Sequence, residues 1–454
     1  MPRLCGKQSG SSSLSGRIWN PFLPIDSAED PKGKVTSIRD PRHTLSLFTV
    51  LLLAPLAVWS AENPQVLDEG LYFDVPSTEV AYNVQIIRLT PGGYATVYHG
   101  EPRKTPGLPG DAVKAAIQTG EFTFAMPKER HFAIPNDTED AQSALYSVGT
   151  MWSGAGNPMT IRGRGDEPYF HLFFIAVTDD DRNRTGEDYR HHVCQARTRD
   201  FREFDLRVEA EGRIAWKPLR DSSPREWKRP WLLRDRNGDL IRSRQATAYP
   251  DTQGLLGSIF FQGGAYHFCY TDRDTDGQTY LFHRTCEDID AADDNRTGWS
   301  PAARLSGPLP TGTLIRVAPT RDRKALAALY NGYWEGPQRL HAGLFLQHTS
   351  SATPDAPGGL AEIRWFERVV GHNGVGLTTA RLDVKAGGGN LSQHDFLTDP
   401  EGALAVPEAD DTRPEVGGLL TWADFTRGVY GGQVFWARWQ SMPPAQPACV
   451  KDPR

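Results

Sequence analysis

Basic stripes, paired cysteine motifs and long apolar runs are all scarce in this chain of 454 residues. Lys and Arg are scattered and the formal net charge is −6. No basic face marks a nucleic-acid partner. The chain has five cysteines and no CxxC pair, so nothing in their spacing points to a zinc site. Helical periods are also scarce. One segment, 111–120 (DAVKAAIQTG), predicts a short helix capped by Asp111. A single apolar run, Leu45 to Trp59, could engage a membrane, and it is short for a bilayer span.

That run is preceded by Arg39, Arg42 and His43 and followed by Ser60 and Ala61, the layout of a signal peptide. Residues 1–44 are rich in Ser, Gly, Pro and charge, without an apolar period, and are expected to be disordered. The expected start lies near Val35, with cleavage near Ser60 or Ala61. Residues 1–60 are thus a disordered leader and signal peptide, and the product is secreted or periplasmic with no stable membrane span. The alternative is an uncleaved anchor. The leader carries a net charge of +3, so residues 61–454 carry −9. Beyond it remain Cys194, Cys269, Cys286 and Cys449. An even number in an exported chain allows two disulfides, with the pairing open. Cys194 and Cys269 lie in apolar strands and read equally as core thiols.

What the chain has in quantity is 44 Gly, 34 Pro and 12 Trp, a composition of short strands and turns. The pattern is plainest in 256–285, LGSIFFQGGAYHFCYTDRDTDGQTYLFHRT: strand, QGG turn, aromatic strand, acidic loop, third strand. Similar phrases start at Tyr82, Gly156, Ile315 and Ala403. Five such meanders predict an all-β fold, a five-bladed β-propeller of four-stranded antiparallel blades over 61–440. Two β-sandwiches would also give many short strands, but recurrence of the same internal order favours the propeller. The last copy lacks a fourth strand, and residues 70–76 are expected to supply it, because an open ring would expose sheet edges. Residues 441–454 form a Pro-rich tail.

The phrases EPYFHLFFIAVT…VCQARTRDFREFD and GSIFFQGGAYHFCYTD resemble the blade grammar of the five-bladed arabinanase/xylosidase and invertase-type glycoside hydrolases. The resemblance covers most of 79–440 and is architectural. It implies a carbohydrate partner and three carboxylates at the starts of innermost strands: a base or nucleophile, a proton donor, and one that tunes pKa and orientation. The chain departs from that pattern. Asn157 stands before Pro158 where the family motif has Asp, and an amide takes no proton at neutral pH. Asn157 is therefore assigned to substrate binding.

The catalytic candidates are Glu79, Asp251, Glu335 and Asp395. Glu335 lies in WEGP, which matches the family's acid motif but falls in a loop of the fourth copy. Asp399, before Pro400, is a further acid near an inner-strand start, though Asp-Pro pairs are common in loops. Trp152 and Tyr249 are candidate saccharide platforms. Arg316 is a candidate substrate ligand through forked hydrogen bonds. The loop DRDTDG, with Asp272, Asp274 and Asp276, spaces carboxylates like the first half of an EF-hand, which suggests a structural calcium site. Its twelfth position is His283, so it is no EF-hand, and a plain Asp-Gly hairpin is the competing reading. The functional expectation is an exported glycoside hydrolase. The alternative is a non-catalytic propeller that binds polysaccharide or an envelope or export protein.

Overall fold

The computed structural model describes residues 66–73, 79–89, 92–102, 112–129, 132–134, 158–165, 168–177, 191–210, 213–218, 231–243, 256–290, 298–305, 308, 314–323, 326–332, 339–347, 363–365, 391–424 and 433–440. The expected leader and the Pro-rich tail lie outside them. The described fold is all-β, with one short 3₁₀ turn at Glu408–Asp410 and no α-helix. No helix among the described residues is long and apolar enough to cross a membrane.

Among the described residues, twenty-one strands form four curled sheets. In the first, β2 (Glu79–Leu89), β3 (Gly93–Pro102), β4 (Ala112–Thr119) and β5 (Phe132–Ile134) run as a meander. A second meander, β19 (Leu391–Thr398), β20 (Val416–Asp424) and β21 (Gln433–Gln440), is completed by β1 (Val66–Phe73), which pairs antiparallel with β21. These two halves join where β19 pairs parallel with β2 over Leu397↔Ile86 and Thr398↔Ile87. The second sheet is β6 (Met159–Arg162), β7 (Phe170–Val177), β8 (His191–Thr198), β9 (Phe204–Ala210) and β10 (Arg213–Pro218). The third is β11 (Leu256–Gln262), β12 (Ala265–Arg273), β13 (Thr279–Cys286) and β14 (Ala303–Arg304). The fourth is β15 (Leu314–Pro319), β16 (Leu326–Gly332), β17 (Arg339–Gln347) and β18 (Ile363–Trp365).

The last copy does gain a fourth strand from the start of the fold, but it spans Val66–Phe73 rather than 70–76. It fits only because Gly70 lacks a side chain: a Cβ there would stand 2.5 Å from the Trp436 indole nitrogen. The QGG turn also forms as read. Gly263 (φ 59°) and Gly264 (φ 86°) are both left-handed, which matches the twist of a two-residue hairpin.

The core lies between sheets. Ile87, Val97 and Val113 pack against Leu172, Phe174 and Leu206 of the second sheet. The opposite face of that sheet, with Met159, Phe173 and Val193, packs against Ile259, Phe268 and Phe282 of the third. Ile86 and Tyr98 meet Leu397 and Trp436, while Leu329 of the fourth sheet meets Phe396 and Trp422. Strands covered on both faces lose the inside/outside alternation of a half-solvated sheet. β12 is buried along its whole length except its last residue.

Two expectations are corrected. Residues 111–120 are no helix: Ala112–Thr119 is β4, paired with β3 and β5, with Val113, Ala115 and Ala116 buried. Inter-sheet packing overrides the helix preference of three alanines. Cys194, Cys269 and Cys286 are free, buried thiols, each pushed up by burial, so the core-thiol reading replaces disulfides for these three. Cys449 lies outside the described residues.

A buried histidine pair sits in the third sheet. His267 Nε2 donates to the Gln262 carbonyl at 3.0 Å, and its Nδ1 lies 2.9 Å from His283 Nε2. Neutral rings satisfy both bonds, with His283 donating. A proton added at His267 Nδ1 would set donor against donor. Burial pushes His267 down to about 4, and burial with the charge of His267 pushes His283 down to about 3. Unfolded histidine binds a proton near pH 6.5, where the folded rings do not, so acid favours the unfolded chain. Stability is expected to be flat above about pH 6.5 and to fall toward pH 4, by about 3 kcal/mol from His267 alone. Urea melts from pH 7.5 to 4 check this, and replacing both rings by Gln should flatten the slope.

Candidate functional site

The first strand of each meander is the one nearest a shared pocket. Gln85 of β2, Met159 of β6, Gly257, Ser258 and Ile259 of β11, Arg316 of β15, and Asp395 and Thr398 of β19 line it, with room for about one water molecule. The wall is tied side by side. The Gln85 amide donates to the Thr160 carbonyl at 3.2 Å and accepts from the Thr160 N–H at 2.9 Å, binding β2 to β6. Ser258 Oγ accepts from the Val317 N–H at 3.0 Å, binding β11 to β15. Arg316 Nε donates to the His394 carbonyl at 3.1 Å, and its Nη2 lies 3.1 Å from Asp395 Oδ2, binding β15 to β19.

Sequence makes this possible because four of the five first strands carry a polar residue within an apolar run: Gln85 in NVQII, Ser258 in GSIF, Arg316 in IRVA, Asp395 in HDFL. Arg316 is 4% exposed and Asp395 5%. Burial raises Asp395, opposed by the Arg316 charge and the Phe396 N–H at 2.8 Å. Burial likewise lowers Arg316, opposed by Asp395. Each charge is tolerated inside because the other is present. His394 donates from Nε2 to the Leu329 carbonyl, and burial plus the neighbouring guanidinium pushes it down to about 3.

One end of the pocket is sealed by the segment after β19. The Pro400 carbonyl accepts from the Arg162 N–H at 2.9 Å, the Glu401 carbonyl from the Phe261 N–H at 2.8 Å, and the Leu404 N–H donates to the Pro319 carbonyl at 2.8 Å. The segment thus grips the far ends of β6, β11 and β15. Asp399 shapes it, accepting from the N–H groups of Glu401 and Ala403 and from Arg323 Nη2. Gly402 (φ +81°) lies against β11, where a Cβ would stand 2.5 Å from the Ile259 carbonyl. Asp399 is therefore a turn-forming residue.

Of the predicted site residues, the structure brings together Asp395 and Arg316, as partners of each other. Glu79 opens β2, opposite Pro102 of β3. In the parallel β2–β19 register it lies five residues before the level of Asp395, about 17 Å along an extended strand. Asp251, Glu335, Asn157, Trp152 and Tyr249 lie outside the described residues. Trp422 is core, stacked on Phe435. Arg164 pairs with Glu401 at 2.7 Å. Gln85, Ser258 and Thr398 were missed by the sequence reading, although a lone polar residue in an otherwise apolar first strand is a usable signal.

The DRDTDG carboxylates accept hydrogen bonds from their own loop. Asp272 accepts from the Arg273 N–H and Asp274 from the Thr275 N–H, both at 2.8 Å. Asp276 accepts from the Gln278 N–H at 3.0 Å and the Tyr280 hydroxyl at 2.7 Å. Arg304 also pairs with Asp274 and lies 3.6 Å from Asp276. The positive charge between these two carboxylates is a guanidinium. No group of three or more His, Cys, Asp or Glu among the described residues is arranged to hold a metal ion.

No family model and no curated protein matches the chain. Solved structures do resemble it. One is Zg3597, a family 117 glycoside hydrolase from Zobellia galactanivorans, at 10% identity and a TM-score of 0.42, over 85% of this chain and 93% of that one. Another is the α-L-arabinofuranosidase PaAbf62A from Podospora anserina, at 11% identity and a TM-score of 0.42, over 84% and 96%. A third is the catalytic domain of a GH62 α-L-arabinofuranosidase from Coprinopsis cinerea, at 10% identity and a TM-score of 0.43, over 84% and 99%. The chain thus bears a loose architectural likeness to propeller glycoside hydrolases, at values too low to carry chemistry.

Removal of one member of a buried pair leaves the other charge uncompensated. Asp395→Asn is expected to destabilise the fold by about 3–5 kcal/mol, while Arg316→Met with Asp395→Leu should recover most of that loss. Chemical denaturation of the two variants measures the difference.

Proposed function

We propose that this chain is an exported five-bladed propeller of four-stranded blades that binds a saccharide at the mouth of the central pocket and hydrolyses a glycosidic bond there. The observation that carries the reading is the convergence of five first strands on one pocket that holds a buried carboxylate, a guanidinium and polar side chains. The eight-stranded sheet is then two blades meeting through β19 and β2, and β1 closes the ring. Because one end is sealed by 399–404, the saccharide enters from the end where the first strands begin.

In this scheme Asp395, fixed by Arg316, orients and tunes the site. The proton donor and the base come from Asp251 and Glu335. Paired carboxylates in glycoside hydrolysis stand about 5–9.5 Å apart. Glu79, some 17 Å along the strand from the level of Asp395, belongs at the rim and contacts the saccharide away from the bond that breaks.

A second reading, saccharide binding without cleavage, is favoured by one feature. The carboxylate described at the pocket is already engaged by Arg316.

Arabinan, xylan, fructan and uronic-acid polymers are the substrates to screen with the wild type and with Asp251→Asn, Glu335→Gln and Glu79→Gln. Hydrolysis is expected to drop on the order of 10² to 10⁴ for the first two, with a smaller, KM-dominated loss for Glu79→Gln. Binding of a polymer with no cleavage would select the second reading.

Export is tested apart from activity. The N-terminus of protein recovered from the periplasm or medium is expected within a few residues of Ala61. An intact chain in the cytosol would remove this part of the proposal.

A further inference from the structure

Ser258 stands near the start of β11, one of the strands that converge on the pocket. It is partly exposed, while every other residue lining the pocket is buried. Solvent therefore reaches the pocket wall at this residue. Its Oγ accepts from the Val317 N–H at 3.0 Å. That bond uses a lone pair and fixes the oxygen, but it leaves the hydroxyl proton to be donated. Among the described residues no acceptor takes that proton.

The other polar groups of the wall are engaged or closed off. The Gln85 amide exchanges two hydrogen bonds with Thr160. Arg316 and Asp395, the charged residues of the lining, hold each other, so their charges cancel. The Thr398 hydroxyl has no partner among the described residues, but its oxygen is inaccessible. Ser258 is thus the donor on this wall that a ligand can reach. A wall without net charge that offers such a donor suits an uncharged oxygen acceptor. The space holds about one water molecule, which is also the size of one hydroxyl group and too small for a sugar ring. A bond donated into Oγ polarises the hydroxyl and strengthens the bond that its proton then makes.

We propose that the pocket takes a single hydroxyl group of the bound saccharide, and that Ser258 donates to the oxygen of that hydroxyl. The chain from the Val317 N–H through the Ser258 O–H to the sugar oxygen selects for one position of the sugar, while the ring stays at the mouth. This rests on the carbohydrate reading above and adds to it a binding residue and a rule of selection. A sugar that lacks this hydroxyl leaves Ser258 without its acceptor and binds more weakly.

Calorimetry on the full exported chain tests this with trisaccharides cut from arabinan, xylan and fructan and with their monodeoxy analogues. One deoxy position is expected to bind the wild type about 3- to 10-fold more weakly than its parent. In Ser258→Ala the parent is expected to fall to the affinity of that analogue, so that the difference between the two vanishes. Ser258→Cys is the second variant: its sulfur still accepts from the Val317 N–H, and its thiol is a weak donor. It is expected to lose the same discrimination while melting closer to the wild type than Ser258→Ala does. A residue that only ties β11 to β15 would weaken parent and analogues alike. That result overturns the role of Ser258 and leaves the carbohydrate reading standing. So does a preference that survives in both variants, or a wild type that binds the parents and is indifferent to every deoxy position. A wild type that binds none of these trisaccharides removes both.

Discussion

The pairing of β1 with β21 is the constraint on which the rest depends. It joins residues about 370 apart, from Val66↔Trp439 to Phe73↔Val434. Closing so long a loop costs about 5 kcal/mol of chain entropy. Burial decides in favour of closure. Tyr72, Phe73, Trp436 and Trp439 are each nearly inaccessible, and each such side chain contributes about 1.5–3 kcal/mol. Without β1 the last meander would show an unpaired strand edge.

A single connection makes the two ends of the pocket unlike. The segment after β19 holds β6, β11 and β15 by backbone hydrogen bonds. Further along, Asp411 takes Arg88 through two hydrogen bonds of 2.8 and 2.7 Å and lies 3.6 Å from Arg321. Asp410, buried, takes Arg438 and Arg413. The loop therefore reaches the ends of strands from the whole circuit. Its acids meet arginines on neighbouring sheets, which fixes that end of the pocket.

The sequence made strands legible wherever β-branched and aromatic residues met a glycine turn, as in IFFQGGAYHF. It misled at DAVKAAIQTG, where alanine looks helical alone but suits a strand whose two faces both meet close-packed neighbours. Cys194 and Cys269 could be read either way from sequence, and only their burial between sheets decides. For the site, Asp395 and Arg316 were both chosen, but as separate actors on a substrate. Their pairing depends on β15 and β19 lying side by side, a relation between residues 79 apart that no local pattern encodes. Asp399 looked like a candidate acid by its position before proline. Its N–H partners at Glu401 and Ala403 are the signature of a turn former, visible only once the backbone is folded.

The polar character of the pocket wall is itself informative. Five first strands that met only to pack could have used Val and Ile throughout, and a buried ion pair is seldom more stable than well-packed apolar residues of similar volume. Instead Gln85, Ser258, Arg316 and Asp395 replace apolar residues at matching places on separate strands. The bonds of Gln85 and Ser258 are to the backbone of the next strand, so those two serve as ties. Arg316 and Asp395 also tie neighbours, but at the cost of burying two charges that an amide and a hydroxyl do not incur. Tying alone does not account for that choice. The proposed saccharide site would account for it: a fixed dipole at the base of a mouth is aimed before any ligand arrives, and preorganised charge is worth most where water is excluded.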